Sequence, residues 1–298
     1  MGPQDFLLQT IQQVINGVSL GSIYALIALG YTMVYGIIRL INFAHGDIFM
    51  VGAFAGYFAT AVYKLSFFPA LLLAMAVSAL TGVLIEFLAY RPIRKASRIS
   101  ALITAIGVSF LLENAGLLIL KPDPRAFPEV IPLTVYNLGG LIVNNRQVLI
   151  LVVTVGLMLL LQWIVRYTKI GKAMRAVAND RDAAHLMGID VNQVITVTFA
   201  LGSALAAAAG VLVGIFYNRI DPLMGIMPGL KAFVAAVLGG IGIIPGAMIG
   251  GFVMGIVEVL VVAFISSGWK DAAAFVALII ILLVRPAGLL GRNVGEKV

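Results

Sequence analysis

Runs of about twenty consecutive apolar residues recur along this chain, and they limit its fold more severely than any other feature. A helix crossing a hydrocarbon layer of about 30 Å needs about 20 mostly apolar residues. Runs of that length lie near 17–38, 44–63, 69–90, 99–120, 147–167 and 193–217. The stretch 229–266 is too long for one simple helix, and Gly239-Gly240-Ile241-Gly242 and Pro245-Gly246 interrupt it. It reads as a half helix, a turn near 239–246 and a full helix near 246–265, before a last span at about 270–285. Transmembrane β-barrels alternate apolar and polar residues, whereas these runs are continuous. The expected architecture is therefore all-α: a polytopic transmembrane helix bundle of about eight or nine membrane elements, in a single domain over 1–298. Composition agrees, with 61% hydrophobic and 11% charged residues. No single water-soluble core of this size could enclose so much apolar surface. The N-terminus lacks a basic region and a small-residue cleavage site, so it reads as mature protein.

Basic residues set the orientation. Arg91, Arg94, Lys95 and Arg98 share one short loop without an acid. Arg166, Lys169, Lys172, Arg175 and Arg181 fill a longer one, and Arg285, Arg292 and Lys297 follow the last span. The positive-inside rule makes these three regions cytoplasmic. The proline-bearing loop 121–146 is then outside, and counting back through three spans puts the N-terminus outside too. Residues 6–16 are the segment that would change that parity, as a further membrane element. Trp163 and Tyr167 beside Arg166, and Tyr90 beside Arg91, stand where interfacial anchors would. A net charge of +7 clustered in this way reports topology and contact with anionic lipid, not nucleic acid.

Small residues at helical spacing mark packing faces, because lipid offers no hydrophobic drive for helices to associate and close approach must supply it. Gly202, Ala206, Gly210 and Gly214 form one such face, Ala247, Gly251 and Gly255 a second, and Ser78 with Gly82 a third.

Ionisable residues inside spans mark functional candidates. Glu258 lies mid-span about one turn from the Gly251/Gly255 face, as either a neutral packing group or part of an aqueous path. Glu86 is close enough to the cytoplasmic edge to snorkel and reads as structural, and Glu113 sits in the outer half of its span. The segments around Glu86 and Glu258 are alike enough to hint at an internal repeat. The polar break Asn42-Phe43-Ala44-His45-Gly46-Asp47 joins two spans. Asn42 and Asp47 suit a helix cap followed by an acid in the first turn. The same residues, with Phe43 and His45, suit a substrate path, because transporters hold substrates at half-helix N-termini.

Several chemistries are excluded. The chain has no cysteine, hence no disulfide or thiolate site, and its two histidines are far apart. It contains no Gly-x4-Gly-Lys-Ser/Thr and no His-Glu-x2-His. Neither an enzyme nor a cofactor or metal is expected.

The cytoplasmic stretch of about 168–192 contains Asp182-Ala183-Ala184-His185-Leu186-Met187-Gly188, which resembles the Glu-Ala-Ala-x3-Gly loop of ABC importer permeases with Asp in place of Glu. Asn179 or Asp180 would cap a short helix there and Gly188 would end it. The wider sequence resembles the permeases of high-affinity branched-chain amino acid ABC importers, above all the first of their two paralogous subunits. Asn16–Leu26, Gly30–Gly36 and Ile41–Gly46 look like that family's opening, Lys231–Phe233, Ala235–Gly242 and Ile244–Gly251 its distal half, and Arg285–Gly291 its ending. The resemblance implies a paralogous partner permease, two cytoplasmic ATPases and an extracytoplasmic amino-acid-binding protein, in the bacterial inner membrane. It further implies that Asp182, Ala183, Ala184 and Gly188 form the coupling segment toward an ATPase. Permeases for urea, amides or other amino acids share the family pattern. A reading of another class is a stand-alone carrier or channel with Glu258 as its ion or proton site.

Overall fold

A computed structural model describes residues 3–94 and 96–291. Lys95, Arg292 and Lys297 of the basic regions, and the Arg98 side chain, lie outside the described residues.

The helices are α1 (Pro3–Ile38), α2 (His45–Ala61), α3 (Phe67–Ile85), α4 (Arg91–Ile93), α5 (Arg98–Leu120), α6 (Asn145–Tyr167), α7 (Lys169–Asn179), α8 (Arg181–Leu186), α9 (Val191–Tyr217), α10 (Ile226–Gly239), α11 (Ile244–Phe264) and α12 (Lys270–Val284). Among the described residues seven helical stretches are long and apolar enough to cross a membrane, and α10 is a shorter apolar helix. With α2, also enclosed in the bundle, this makes the expected polytopic bundle, and the chain is a multi-pass membrane protein. The break near 239–246 is present as well. Gly240 takes φ +108, a backbone that favours glycine, and Pro245 in the first turn of α11 needs no N–H partner.

Residues 6–16 are not a separate element, because they continue α1 to 36 residues. At 1.5 Å per residue α1 is about 54 Å long, more than the hydrocarbon layer requires. Its outer turns meet a β-hairpin, β1 (Val135–Leu138) with β2 (Leu141–Asn144), that hydropathy gave no reason to expect. Gln12 donates to the Ile142 carbonyl at 2.8 Å and accepts from its N–H at 2.7 Å. At the opposite end, Arg181 donates to the Ile37 carbonyl, Arg94 to Asn192, and the Leu289 and Leu290 N–H groups to the carbonyls of Leu238 and Gly239. The described basic segments thus gather at the end where α1 finishes, and the N-terminus lies at the other, as the charge pattern requires.

Two helices, α1 and α9, are enclosed along most of their length, whereas α5, α6 and α12 present apolar surface outward. The small-residue faces explain that enclosure. Gly251 and Gly255 of α11 lie against Ala25, Gly21 and Gly17 of α1, and a Cβ added at Gly17 would stand 2.7 Å from the Ile256 Cα. The face on α9 does not serve one partner. Gly202 meets Gly30 of α1, Gly210 meets Phe49 and Ala53 of α2, and Gly214 meets the Phe127 ring of the outer loop. Gly82 of α3 packs on Ser203 and Phe199.

Pro92 lacks the N–H that would close on Leu88, and the preceding turn, Glu86–Tyr90, widens into a π-helix. Glu86 and Tyr90 are both turned inward, so Tyr90, 1% exposed, is not the interfacial anchor its place beside Arg91 suggested. Trp163 and Tyr167 remain exposed, as anchors should be.

Substituting Gly255→Val drives side-chain atoms into the Gly21 backbone. It should lower stability by about 1–3 kcal/mol, read as a depressed thermal unfolding midpoint in detergent. Gly107→Ala, inside α5 where an added Cβ meets nothing, should not lower the midpoint.

Candidate functional site

The break 39–44 lets α2 start inside the bundle. The His45 ring abuts Gly30 and lies 4.7 Å from the Tyr31 ring. Gly30 is eight residues from the end of α1, a depth of about 12 Å at 1.5 Å per residue. There α2 meets the beginning of α10, because Gly46 packs against Gly225 and Gly229. Two helix N-termini therefore converge well within the bundle.

A cavity of about 140 Å3 opens at that convergence, lined among others by Tyr31, Phe43, Asp47, Ser109, Glu113 and Gly229. Ser109 donates to Asp47 Oδ2 at 2.5 Å. The Asp47 carboxylate already occupies the first turn of α2, matching the partial positive charge of the helix end. Asn42, by contrast, is not the cap. The N-cap position is Ala44, without a side-chain hydrogen bond, and Asn42 Oδ1 instead accepts from the Tyr90 hydroxyl at 3.1 Å. The π-turn delivers that hydroxyl. Of the residues singled out in this break, Phe43 and Asp47 face the cavity, while Asn42 and His45 lie buried beside it.

Glu258 belongs to a different place. Its Oε2 accepts from the Tyr24 hydroxyl at 2.8 Å and its Oε1 pairs with Lys231 Nζ at 2.6 Å. Lys231 Nζ also stands 2.7 Å from Asp271 Oδ1. Lys231 is 3% exposed and Glu258 6%, so both charges are buried and each is answered. The group borders a second cavity, of about 420 Å3, between α1, α9, α10, α11 and α12. Glu258 is thus held between helices by an ion pair and a hydrogen bond, at the edge of a cavity. Lys231 and Asp271 were missed as site residues, although a lysine inside the apolar stretch 229–266 is itself the signal of a buried partner.

Glu86 does not snorkel to the edge as its position suggested, because the π-turn directs it inward. It is fully buried, paired with Arg94, 3.8 Å from Arg91 Nε, and accepts from the Thr196 hydroxyl at 2.7 Å. That knot ties the end of α3 to α9. Glu86 and Glu258 are alike in being ion-paired, but one staples a cytoplasmic edge and the other lines a cavity.

In the segment 168–192, Asp180 Oδ1 accepts from the Asp182 and Ala183 N–H groups at 2.9 and 3.0 Å, capping α8. The turn after it closes at Gly188 with φ +82. Asp182 and Ala183 are exposed, whereas Ala184 is 4% exposed and packs inward, which removes it from any docking surface. Leu186 and Met187 are 87% and 83% exposed, an unusual position for apolar side chains on a charged segment. Arg181 links α8 to the end of α1, and burial, reinforced by Arg39 nearby, holds its guanidinium pKa below the ordinary value.

Removing Lys231 alone, as Lys231→Met, leaves two carboxylates without their cation. The loss should be about 3–5 kcal/mol, seen as a lower unfolding midpoint. Combining it with Glu258→Gln should restore much of the difference. An unchanged midpoint in Lys231→Met would mean that the ion cluster contributes nothing to the folded state.

Comparison with known proteins matches this sequence along nearly its whole length. Residues 13–284 fit the family described as "Branched-chain amino acid transport system / permease component". The chain is 45% identical, over 98% of both chains, to the high-affinity branched-chain amino acid transport system permease protein LivH of Salmonella typhimurium. It is 43% identical to the corresponding protein BraD of Pseudomonas aeruginosa, over 97% of this chain and 98% of the relative. Among solved structures, PsaBC from Streptococcus pneumoniae in complex with Fab aligns over 93% of this chain and 92% of that one, at 12% identity and a TM-score of 0.47. On the full-length agreement in sequence, this chain belongs to the family of permease components of branched-chain amino acid transport systems.

Proposed function

We propose that this chain is the permease subunit that carries leucine, isoleucine and valine across the bacterial cytoplasmic membrane, as part of an ABC importer. The observation that carries this reading is the likeness to LivH and BraD along nearly the whole chain. The subunit works beside a second, paralogous permease. Two cytoplasmic ATPase subunits supply ATP hydrolysis, and an extracytoplasmic amino-acid-binding protein delivers substrate. Residues 1–298 act as one permease domain, and 168–192 as its coupling loop.

Within that domain the convergence of α2 and α10 is the inner part of the translocation path. Phe43 and Asp47 line it with Tyr31, Ser109 and Glu113. Asn42 and His45 are positioning residues, one holding Tyr90 and the other packed on Tyr31. Glu258 lies on the same route through the second cavity. Selection among the three aliphatic side chains belongs mainly to the binding protein, because one methylene in an apolar pocket is worth only about 1–3 kcal/mol.

Asp182, Ala183 and the Leu186–Met187 tip form the face of α8 that docks into an ATPase groove, and Gly188 lets the chain turn away from it. The Arg181 contact passes a push from α8 to the end of α1. Nucleotide-driven closure then moves α1 and α9 as rigid bodies.

Proteoliposomes holding both permeases and both ATPases, with binding protein outside and ATP inside, should accumulate labelled leucine, and those without the ATPases should not. Uptake without ATPases would overturn the importer reading. Asp47→Ala should slow uptake about 10–100-fold, the cost of one lost charged hydrogen-bonding group, with ATPase assembly intact. Gly188→Pro and Met187→Arg should leave the bundle folded but separate ATP hydrolysis from uptake. Normal coupling in both variants would exclude α8 as the docking segment.

A further inference from the structure

The 420 Å3 cavity beside Lys231 is lined by charges of both signs. Three cationic side chains, Arg219, Lys231 and Lys270, line it together with three anionic ones, Asp221, Glu258 and Asp271. The lining is balanced in formal charge, so a ligand carrying both signs can find a partner for each. Met224, Met227 and Val213 add an apolar wall. The cavity lies toward the end of the bundle opposite the basic loops, since Tyr217 at the end of α9 and Lys270 at the start of α12 contribute to it.

The three ionic partners at its floor are not equivalent. Glu258 is held twice, by Tyr24 and by Lys231, and is almost enclosed. Asp271 is held only by proximity to Lys231. Its side chain is 40% exposed, and its one ion contact among the described residues is the 2.7 Å approach of Oδ1 to Lys231 Nζ. A carboxylate that shares its cation with Glu258 and opens to the cavity can accept an incoming N–H group.

We infer that this cavity is an outer binding site for a neutral α-amino acid zwitterion, entered by exchange of ion partners. The substrate carboxylate takes the side of Lys231 that Asp271 occupies, and Asp271 takes the substrate ammonium. Glu258 stays in place and keeps Lys231 compensated throughout. The exchange replaces one ion contact by two, so no charge is stranded in the bundle during entry. The substrate side chain lies against Met224 and Met227, whose unbranched thioethers adapt to aliphatic groups of different shape. This inference rests on the proposal that neutral amino acids are the cargo, and it adds where and by which groups they are first held.

The absence of cysteine from the natural chain permits a direct test. In the assembled transporter, Met224→Cys is labelled from the outer face with a methanethiosulfonate reagent, and modification of this chain is followed by mass. Leucine at about ten times its dissociation constant should slow labelling about tenfold, in proportion to occupancy. Neither 3-methylbutylamine, which lacks the carboxylate, nor 4-methylpentanoate, which lacks the ammonium, should protect comparably. In Asp271→Asn the half-protecting leucine concentration should rise at least about tenfold, the effect of losing one charge-assisted hydrogen bond. The ligand comparison needs no change in the ion cluster, so it holds even where that variant does not assemble. Protection by either single-charge analogue equal to that by leucine would overturn the exchange. So would leucine that is transported without slowing the label, although that result would leave the cargo assignment standing. Conversely, protection by another neutral amino acid, with no leucine uptake, would sustain the site and remove the branched-chain reading.

Discussion

Hydrocarbon offers no hydrogen bonds, and this single constraint organises the molecule. Every backbone N–H and C=O within the layer must find a partner inside the protein, so irregular backbone is confined to places that other helices enclose. Both internal breaks obey this. In the segment 39–44, Asn42 and Ala44 are buried and the Tyr90 hydroxyl meets Asn42, and the turn at 240–243 is backed by Gly36 and by the polypeptide near Ala287 and Gly291. Breaks that are enclosed in this way can carry polar side chains into the bundle at low cost. Both candidate cavities border helices that begin or end at such interruptions.

Close packing is what permits the enclosure. Lipid is as apolar as leucine, so helices gain from association mainly through contact and through hydrogen bonds. Glycine and alanine at the crossings of α1 with α11, and of α9 with α1 and α2, bring backbones together until no side chain fits between. The enclosed helices then hold charge where lipid-facing helices could not. Lys231, Glu258 and Asp271 come from three helices, and the Tyr24 hydroxyl comes from a fourth. Glu86 is likewise surrounded by Arg94, Arg91 and Thr196. A buried ion pair adds little stability compared with an apolar substitute. Its persistence at the edge of a 420 Å3 cavity therefore points to a use, whereas the knot at Glu86 borders none of the described cavities and serves to join α3 to α9.

The proposed coupling across the layer has an equally concrete basis. The segment 168–192 is not a loose loop but begins with two capped helices, α7 and α8, set by Thr168 and Asp180. Arg181 fastens the second of them to the end of α1, and α1 in turn supplies Tyr24 and Tyr31 to the two cavities. One stiff helix thus touches the cytoplasmic segment and both polar regions.

The spans, the broken helix before Pro245, the gathering of the basic segments at one end and the short capped helix at Arg181–Leu186 were all legible in the sequence, because each depends on local composition or on capping chemistry. The tertiary structure decided the rest. Asn42 has the residue type of a cap, yet Ala44 holds that position and Asn42 answers Tyr90, a partner 48 residues away brought in by the π-turn. Ala184 has the size for a docking face, but the packing of α8 turns it inward. Residues 6–16 read as a possible extra element, yet an outer hairpin secures them as the end of α1. Glu258 stood out by its depth alone, while its meaning came from Lys231, Asp271 and Tyr24, which no spacing connects. Helix formation is written in neighbours along the chain, but the partner of a buried charge is chosen by which helices meet. That choice is made by small residues whose sequence pattern shows that a contact exists and not with whom.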